Sequence, residues 1–487
     1  MNAFSATGRL AEFAATLTGA NAIEDLRAGL IGEGRVIDGP FGPRKLVYAD
    51  YIASGRALRQ VETFVMEKVL PVYANSHSEG SHCGAAVTAL RREARAIIAA
   101  HCGADDSCAT IFAGAGATAG LNRLVPLFGV AEAVQSGRGC TVLVGPYEHH
   151  SNILPWRESG ATVIEIDERP EGGPDMAQLE AALRAVPAGA LKIGAFSAMS
   201  NVTGIVSDVE AITRLLKAHG ALSVWDYAGG GPYLPIDMGA HGGAPKDAAV
   251  LSTHKFVGGP GASGVLIVRE SAVTRQTPVL PGGGTVRFVS PWRQDYLTDL
   301  VSREESGTPD VIGDIRAALA FLVKAAIGTD FMATRHEVLR QRALNVWNAN
   351  RGIEVIGNPL ARYQLPVFSL RLRDGNGGLV PQQIVTRALS DQFGIQARGG
   401  CSCAGPYAHR LLNIGQAQSE AMRDAILAGD ETLKPGWTRL NLSALSDNAK
   451  ADFIIAAVDH LAANPDDMLA DYAVEDGRVR VRRPGIF

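Results

Sequence analysis

Ala249-Val250-Leu251-Ser252-Thr253-His254-Lys255-Phe256-Val257-Gly258-Gly259-Pro260-Gly261 decides how the rest of the chain is read. An apolar run suited to a buried strand leads into a lysine, and glycines follow almost at once. Those glycines let backbone approach a bound group with no Cβ in the way. A lysine at the end of such a run is partly desolvated, which disfavours the ammonium form and leaves a neutral amine able to form a Schiff base with an aldehyde or ketone. Taken alone, a solvated lysine at a strand end is the commoner case, so other positions must support the reactive reading.

The 487 residues are 46% hydrophobic and 20% charged, which is the composition of a globular chain with a large core. A formal charge of −4 provides no general basic field for nucleic acid, and the basic run over 478–483 reads as a solvated edge or tail. No apolar stretch is long and uncharged enough to cross a membrane, and Arg9 and Glu12 interrupt the segment where a signal sequence would need an apolar block. The expected compartment is therefore the cytoplasm. Six cysteines, Cys83, Cys102, Cys108, Cys140, Cys401 and Cys403, are too few in so long a chain for a disulfide framework.

Outward from Lys255, apolar strands alternate with helical patterns, the signature of an α/β fold with a mostly parallel sheet. Strands are expected over 109–112, 141–144, 162–166, 191–196 and 222–225, with helices from about 57, over 85–100 and over 209–218. A long helix over 312–327 leads to a second unit with strands over 354–356 and 367–372 and a helix over 381–393. We read an N-terminal arm (1–45), a large domain (46–319) and a smaller α+β domain (320–487) carrying the Cys401/Cys403 loop.

Polar residues recur just past the strand ends: His149, Asn201, Asp226 and Lys255. In open α/β sheets ligands bind outside those ends, so the four are expected to converge on one crevice. Asp226 is either a turn carboxylate or the partner of a protonated ring nitrogen. Ala113-Gly114-Ala115-Gly116-Ala117-Thr118 runs from strand through small residues into a helix, whose free N–H groups favour a single phosphate. Its spacing matches neither dinucleotide nor Walker loops, which counts against a nucleotide-dependent oxidoreductase. Cys401 and Cys403 lie on a glycine-rich loop beside Arg398, where a thiolate is favoured. A metal site would need more ligands than these two and His409 supply, and a redox pair one residue apart would be a strained ring. Inert loop cysteines and a nucleophile working with the lysine remain as readings.

Taken together in this order, Glu148-His149-His150-Ser151-Asn152-Ile153-Leu154-Pro155-Trp156, Ser200-Asn201-Val202-Thr203-Gly204, Asp226, Ser252-Thr253-His254-Lys255, Gly307-Thr308-Pro309 and residues 398–404 resemble the class V aminotransferase family of fold type I pyridoxal 5′-phosphate enzymes. Within it the chain resembles the cysteine desulfurases, and its Cys-x-Cys is similar to the aminotransferase-like part of molybdenum cofactor sulfurases. The resemblance implies that Lys255 carries pyridoxal phosphate as a Schiff base, with Ser252, His254, Ala117 and Thr118 at the phosphate. It implies Asp226 at the pyridine nitrogen, His149 stacked on the ring and assisting proton transfer, and Asn201 near the ring hydroxyl. Thr308 would reach the phosphate in a neighbouring subunit, which makes the protein a homodimer. Arg439 would clamp the carboxylate of a small amino-acid substrate, with Asn75, His77 and Arg398 as further substrate-binding candidates. Cys403 would take sulfur from L-cysteine as a persulfide, leaving alanine and implying a sulfur-acceptor protein. The rival within the family is an aminotransferase, epimerase or lyase in which Cys403 is a bystander, and outside it a non-catalytic cofactor-binding or sulfur-carrier module. Gly229 stands where the family often has a glutamine, Ala119 where it often has a glutamate, and an insertion between Cys403 and Arg439, with a helix over 419–427, is expected to cover the site or alter its substrate.

Overall fold

The computed structural model describes residues 8–76, 79–429, 434–475 and 478–482. Its centre is a seven-stranded sheet in the order Cys108–Gly114, Gly264–Arg269, Ala248–Leu251, Leu222–Asp226, Leu191–Ser197, Cys140–Val144 and Thr162–Glu165. Only Gly264–Arg269 runs against its neighbours. Helices cover both faces, so each strand must be apolar on both sides. Alternate residues supply two separate cores: Leu143, Phe196, Trp225 and Leu251 pack on one face, while Val142, Val144, Val224 and Val250 pack on the other. That two-sided demand is why these strands read as unbroken apolar runs.

The five strands other than Gly264–Arg269 and the edge strand Thr162–Glu165 deliver their C-terminal ends to one rim of the sheet. Gly114, Val144, Ser197, Asp226 and Leu251 all lie there, with Ser197 opposite Asp226 and Asp226 opposite Val250 in register. Helix Val311–Ile327 is buried along most of its length and lies against His82–His101. Gly328, at φ 83°, ends it and turns the chain into Thr329–Trp347.

A four-stranded antiparallel sheet follows, in the order Ile353–Ile356, Val367–Leu372, Trp437–Asn441 and Arg398–Gly400. Helices Gln382–Phe393, Thr329–Trp347 and Asn448–Ala463 share its apolar core. The short strand Val47–Tyr48 pairs in parallel with Ile395–Gln396, tying the start of the main body to this smaller sheet. Within the basic C-terminal run, Arg478–Val481 is a strand paired with Tyr472–Glu475. No described helix is long and apolar enough to cross a membrane.

Candidate active site

The parallel rim and the end of the smaller sheet face each other across a cavity of about 210 Å³. Its walls include Ala117, Thr118, His149, Asn201, Asp226, Ser252, His254 and Lys255 from the large sheet, with Arg398, Cys403 and Arg439 from the small one. Eleven of the residues singled out by sequence therefore meet at one place. Asn75 and Thr308 are exposed and do not line this cavity, and His77 falls outside the described residues.

At one end the helix Gly116–Leu127 points its free N–H groups inward. Gly116 sits at φ 61°, and a Cβ there would lie 2.9 Å from Ser252 Oγ and 3.1 Å from His254 Cε1, so the loop needs glycine to come this close. Ala117 N donates to Ser252 Oγ at 3.0 Å. The Thr118 hydroxyl pairs with the Ser151 hydroxyl at 2.8 Å, and Ser151 N donates to His149 Nδ1 at 3.1 Å. That last bond leaves the neutral imidazole with its proton on Nε2. Burial, followed by the charge of Lys255, pulls the His149 pKa down to about 4. Burial also pulls His254 down.

Deeper in, Lys255 and Asp226 form the charged floor. Burial pulls the lysine down to about 8 against the opposing pull of Asp226, with Arg439 and Arg398 adding to the fall. Asp226 is itself pushed up by burial, while the Ala228 N–H at 2.7 Å and Lys255 favour its ionised form. Next to it, the buried Glu148 accepts from Ser197 N at 2.8 Å and from the Ser197 hydroxyl at 2.7 Å, and burial pushes it up to about 7. It locks two strand ends together behind the cavity.

The opposite wall is held by fewer and longer-range bonds. Arg439 is buried; its Nη2 donates to Asp50 Oδ1 at 2.8 Å and its Nη1 to the Asn201 carbonyl at 3.1 Å. Asn201 Nδ2 donates to the Ser402 carbonyl at 2.8 Å, His150 N donates to the Cys403 carbonyl at 2.9 Å, and Gly405 N donates to His150 Nε2 at 2.9 Å. Ser402 and Cys403 both sit at φ 57°, in the left-handed region that side chains rarely adopt. Among the described residues, two buried side-chain atoms of the cavity residues have no hydrogen-bond partner: Arg439 Nε and Asn201 Oδ1. His409 is engaged by the Gly405 carbonyl and the Ser419 hydroxyl, each at 2.8 Å.

No described residue between Cys403 and Arg439 lines the cavity. Instead Gly405–Leu411, a helix the sequence reading lacked, packs Tyr407 against Tyr147, and Arg410 pairs with Glu165. The helix Gln416–Leu427 buries none of its residues. Sequence reasoning also missed Asp50 and Ser151. Asp50 was visible as a polar residue closing an apolar stretch, the same signal that marked Asp226, whereas Ser151 follows three polar residues and carries no such mark.

A parallel sheet with a lysine, a carboxylate and a helix N-terminus at one rim defines a cofactor-dependent α/β enzyme. The family model described as aminotransferase class-V matches residues 47–423, and the chain belongs to that family of pyridoxal-phosphate-dependent enzymes. It is 27% identical over 379 residues to a probable cysteine desulfurase of Halalkalibacterium halodurans, covering 76% of this chain and 87% of that one. A probable cysteine desulfurase of Staphylococcus aureus is 28% identical over 384 residues, covering 78% and 88%. Among solved structures, the apo cysteine desulfurase of Thermococcus onnurineus superposes with a TM-score of 0.73 at 23% identity, covering 90% of this chain and 98% of that one. The cysteine desulfurase of Escherichia coli in its S-sulfonic acid form gives 0.68 at 21% identity, with the same coverage. At those identities the structures establish the fold.

Proposed function

We propose that the chain is a pyridoxal-phosphate enzyme that takes sulfur from L-cysteine, with Cys403 as the accepting nucleophile. The cofactor fits the residues present. Lys255 offers an amine whose proton is held less tightly than an ordinary lysine's, Asp226 a buried carboxylate for the ring nitrogen, and His149 a neutral ring beside both. Ala117, Thr118, Ser252 and His254 gather at a helix start suited to a phosphate, and Asn201 and Arg439, each with a buried polar atom left without a described partner, line the same cavity. Bound there, pyridoxal phosphate supplies the electron sink that loosens bonds at the substrate Cα and Cβ.

The chain's own groups supply the rest. Arg439 and Arg398 draw the substrate carboxylate to the small-sheet wall. Asp226, when ionised, holds a proton on the ring nitrogen, and the released Lys255 amine and His149 Nε2 stand ready to carry protons. The Cys403 sulfur attacks the substrate sulfur: an S–S bond forms, the Cβ–S bond breaks, and Cβ gains a proton to give alanine, leaving a persulfide on Cys403 for an acceptor. One observation carries this assignment, namely that Cys403 lines the same cavity as Lys255, on a loop pinned to His150 and Asn201. A homodimer belongs to the same reading, supported by the exposed Phe288, Val289 and Trp292 on the hairpin of Val286–Val289 and Gln294–Tyr296, just before the exposed Thr308.

The test is alanine and sulfide formation from L-cysteine by holoenzyme and by Cys403→Ser in parallel. The variant is expected to keep the visible absorbance of bound cofactor and to lose sulfide release by roughly 10²-fold or more. Sulfide release at the full rate from Cys403→Ser rules out its role. Conversion of other amino acids without sulfide moves the chain to a transaminating or eliminating reaction, and absorbance without any product makes it a binding module.

A further inference from the structure

Arg439 is the guanidinium that the proposed function gives to the substrate carboxylate, and two of its five N–H donors are already engaged. Nη2 is bonded to Asp50 and Nη1 to the Asn201 carbonyl, and each of these nitrogens keeps a second N–H for another acceptor on a residue that lines the cavity. Asp50 itself does not line the cavity, so it stands behind the arginine and not beside the substrate.

The chain around Asp50 is built to deliver it. Asn441 N donates to the Ala49 carbonyl at 2.8 Å, and Ile52 N donates to Asn441 Oδ1 at 3.1 Å. Asn441 is two residues beyond Arg439 on the strand Trp437–Asn441, so one asparagine grips the backbone on both sides of Asp50. The Tyr48 hydroxyl adds a bond to the Asp50 carbonyl at 3.1 Å. A loop needing only to cover the sheet would not require a carboxylate here, since a buried charge with no partner is costly. Burial pulls the Arg439 pKa down and Asp50 opposes it, so the carboxylate also helps keep the guanidinium charged.

We propose that Asp50 is a positioning residue for substrate recognition: it fixes Arg439 in the orientation that presents its remaining N–H groups to the carboxylate of an α-amino acid. This rests on the reading of Arg439 as the carboxylate-binding residue. A contact of this kind is made equally in the ground state and the transition state, so its loss raises KM more than it lowers kcat.

The experiment uses wild-type, Asp50→Ala and Asp50→Asn holoenzymes. Binding of L-alanine and of ethylamine, which lacks the carboxylate, is followed through the absorbance of the bound cofactor, and L-cysteine saturation through alanine formation. Asp50→Ala is expected to weaken L-alanine binding roughly tenfold and raise the L-cysteine KM by a similar factor, with kcat changed less than about threefold and ethylamine binding unaltered. Asp50→Asn keeps an oxygen that can accept from Nη2 and is expected to fall between. A purely structural role would weaken both ligands equally, and either that result or unchanged L-alanine binding in both variants overturns the proposal. If wild-type enzyme yields no alanine and sulfide from L-cysteine, the desulfurase reading fails, while the two titrations still decide the role of Asp50.

Discussion

The two walls of the cavity are made in different ways. The large-sheet wall carries Lys255, Asp226 and His149 on the ends of parallel strands that are apolar on both faces, and burial tunes their charge states. The small-sheet wall carries Arg398 and Arg439 as register partners on neighbouring strands, then two residues held at φ 57°. There burial acts on Arg439 too, but an ion pair with Asp50 opposes it, and bonds to His150 and Asn201 dock the cysteine loop. The cavity therefore has one wall set by strand ends in the core and another set by docking between distant residues.

If the walls are separable in this way, removing the lysine will disable one and leave the other standing. Lys255→Ala is expected to cut turnover roughly 10³-fold or more and abolish the visible absorbance of bound cofactor. Alkylation of Cys403, followed by mass spectrometry, should proceed at the wild-type rate. A large change in that rate would show that the cysteine loop depends on the opposite wall.

A smaller effect probes how burial sets charge. Condensation of pyridoxal phosphate with apoprotein needs the neutral Lys255 amine, so its rate should fall about tenfold per pH unit below the lysine pKa of about 8 and level off above it. A rate still climbing steeply at pH 10 would mean that the lysine is solvated. The same shift affects stability, because the folded-state value lies below the ordinary 10.5 and the unfolded chain binds more protons between the two. The penalty for burying this lysine in apoprotein is therefore fully present below about 8 and fades as pH rises towards 10.5.

The smallest effect concerns the strained loop. Ser402→Gly relieves one left-handed side chain and is expected to stabilise the fold by about 0.5–1 kcal/mol after the glycine's extra unfolded-state entropy is counted, a rise in Tm of about 0.5–1 °C. Calorimetry of the paired proteins checks it. An unchanged or lower Tm would mean that the strain is absorbed elsewhere in the loop.

The large-sheet wall was legible in the sequence because its causes are local. Val250 and Leu251 announce a buried strand, and Lys255 follows it by a few residues; the same holds for Trp225 and Asp226. Helices 209–218 and 312–327 and strand 367–372 fell within a residue of their expected bounds for the same reason. The small-sheet wall rests on pairings between distant residues, and no local pattern encodes them. Asp50 meets Arg439 across 389 positions, and Asn201 meets Ser402 across 201. Helix Gly405–Leu411 was missed because Gly405 and Pro406 read as a turn, whereas Pro406 occupies the helix's first turn, where no N–H is needed. Of the two roles the sequence left open for the insertion, covering the site or altering its substrate, its described residues do not supply the first, and Tyr407 and Arg410 pair instead with Tyr147 and Glu165.

The cysteine loop is docked through the carbonyls of Ser402 and Cys403 and the N–H of Gly405, all main-chain atoms. Any residue type able to adopt the backbone would keep those three bonds. The placement of the loop is thus uncoupled from the chemistry it presents, and a lineage with this architecture can exchange the reactive side chain, or retire it, without rebuilding the scaffold beneath.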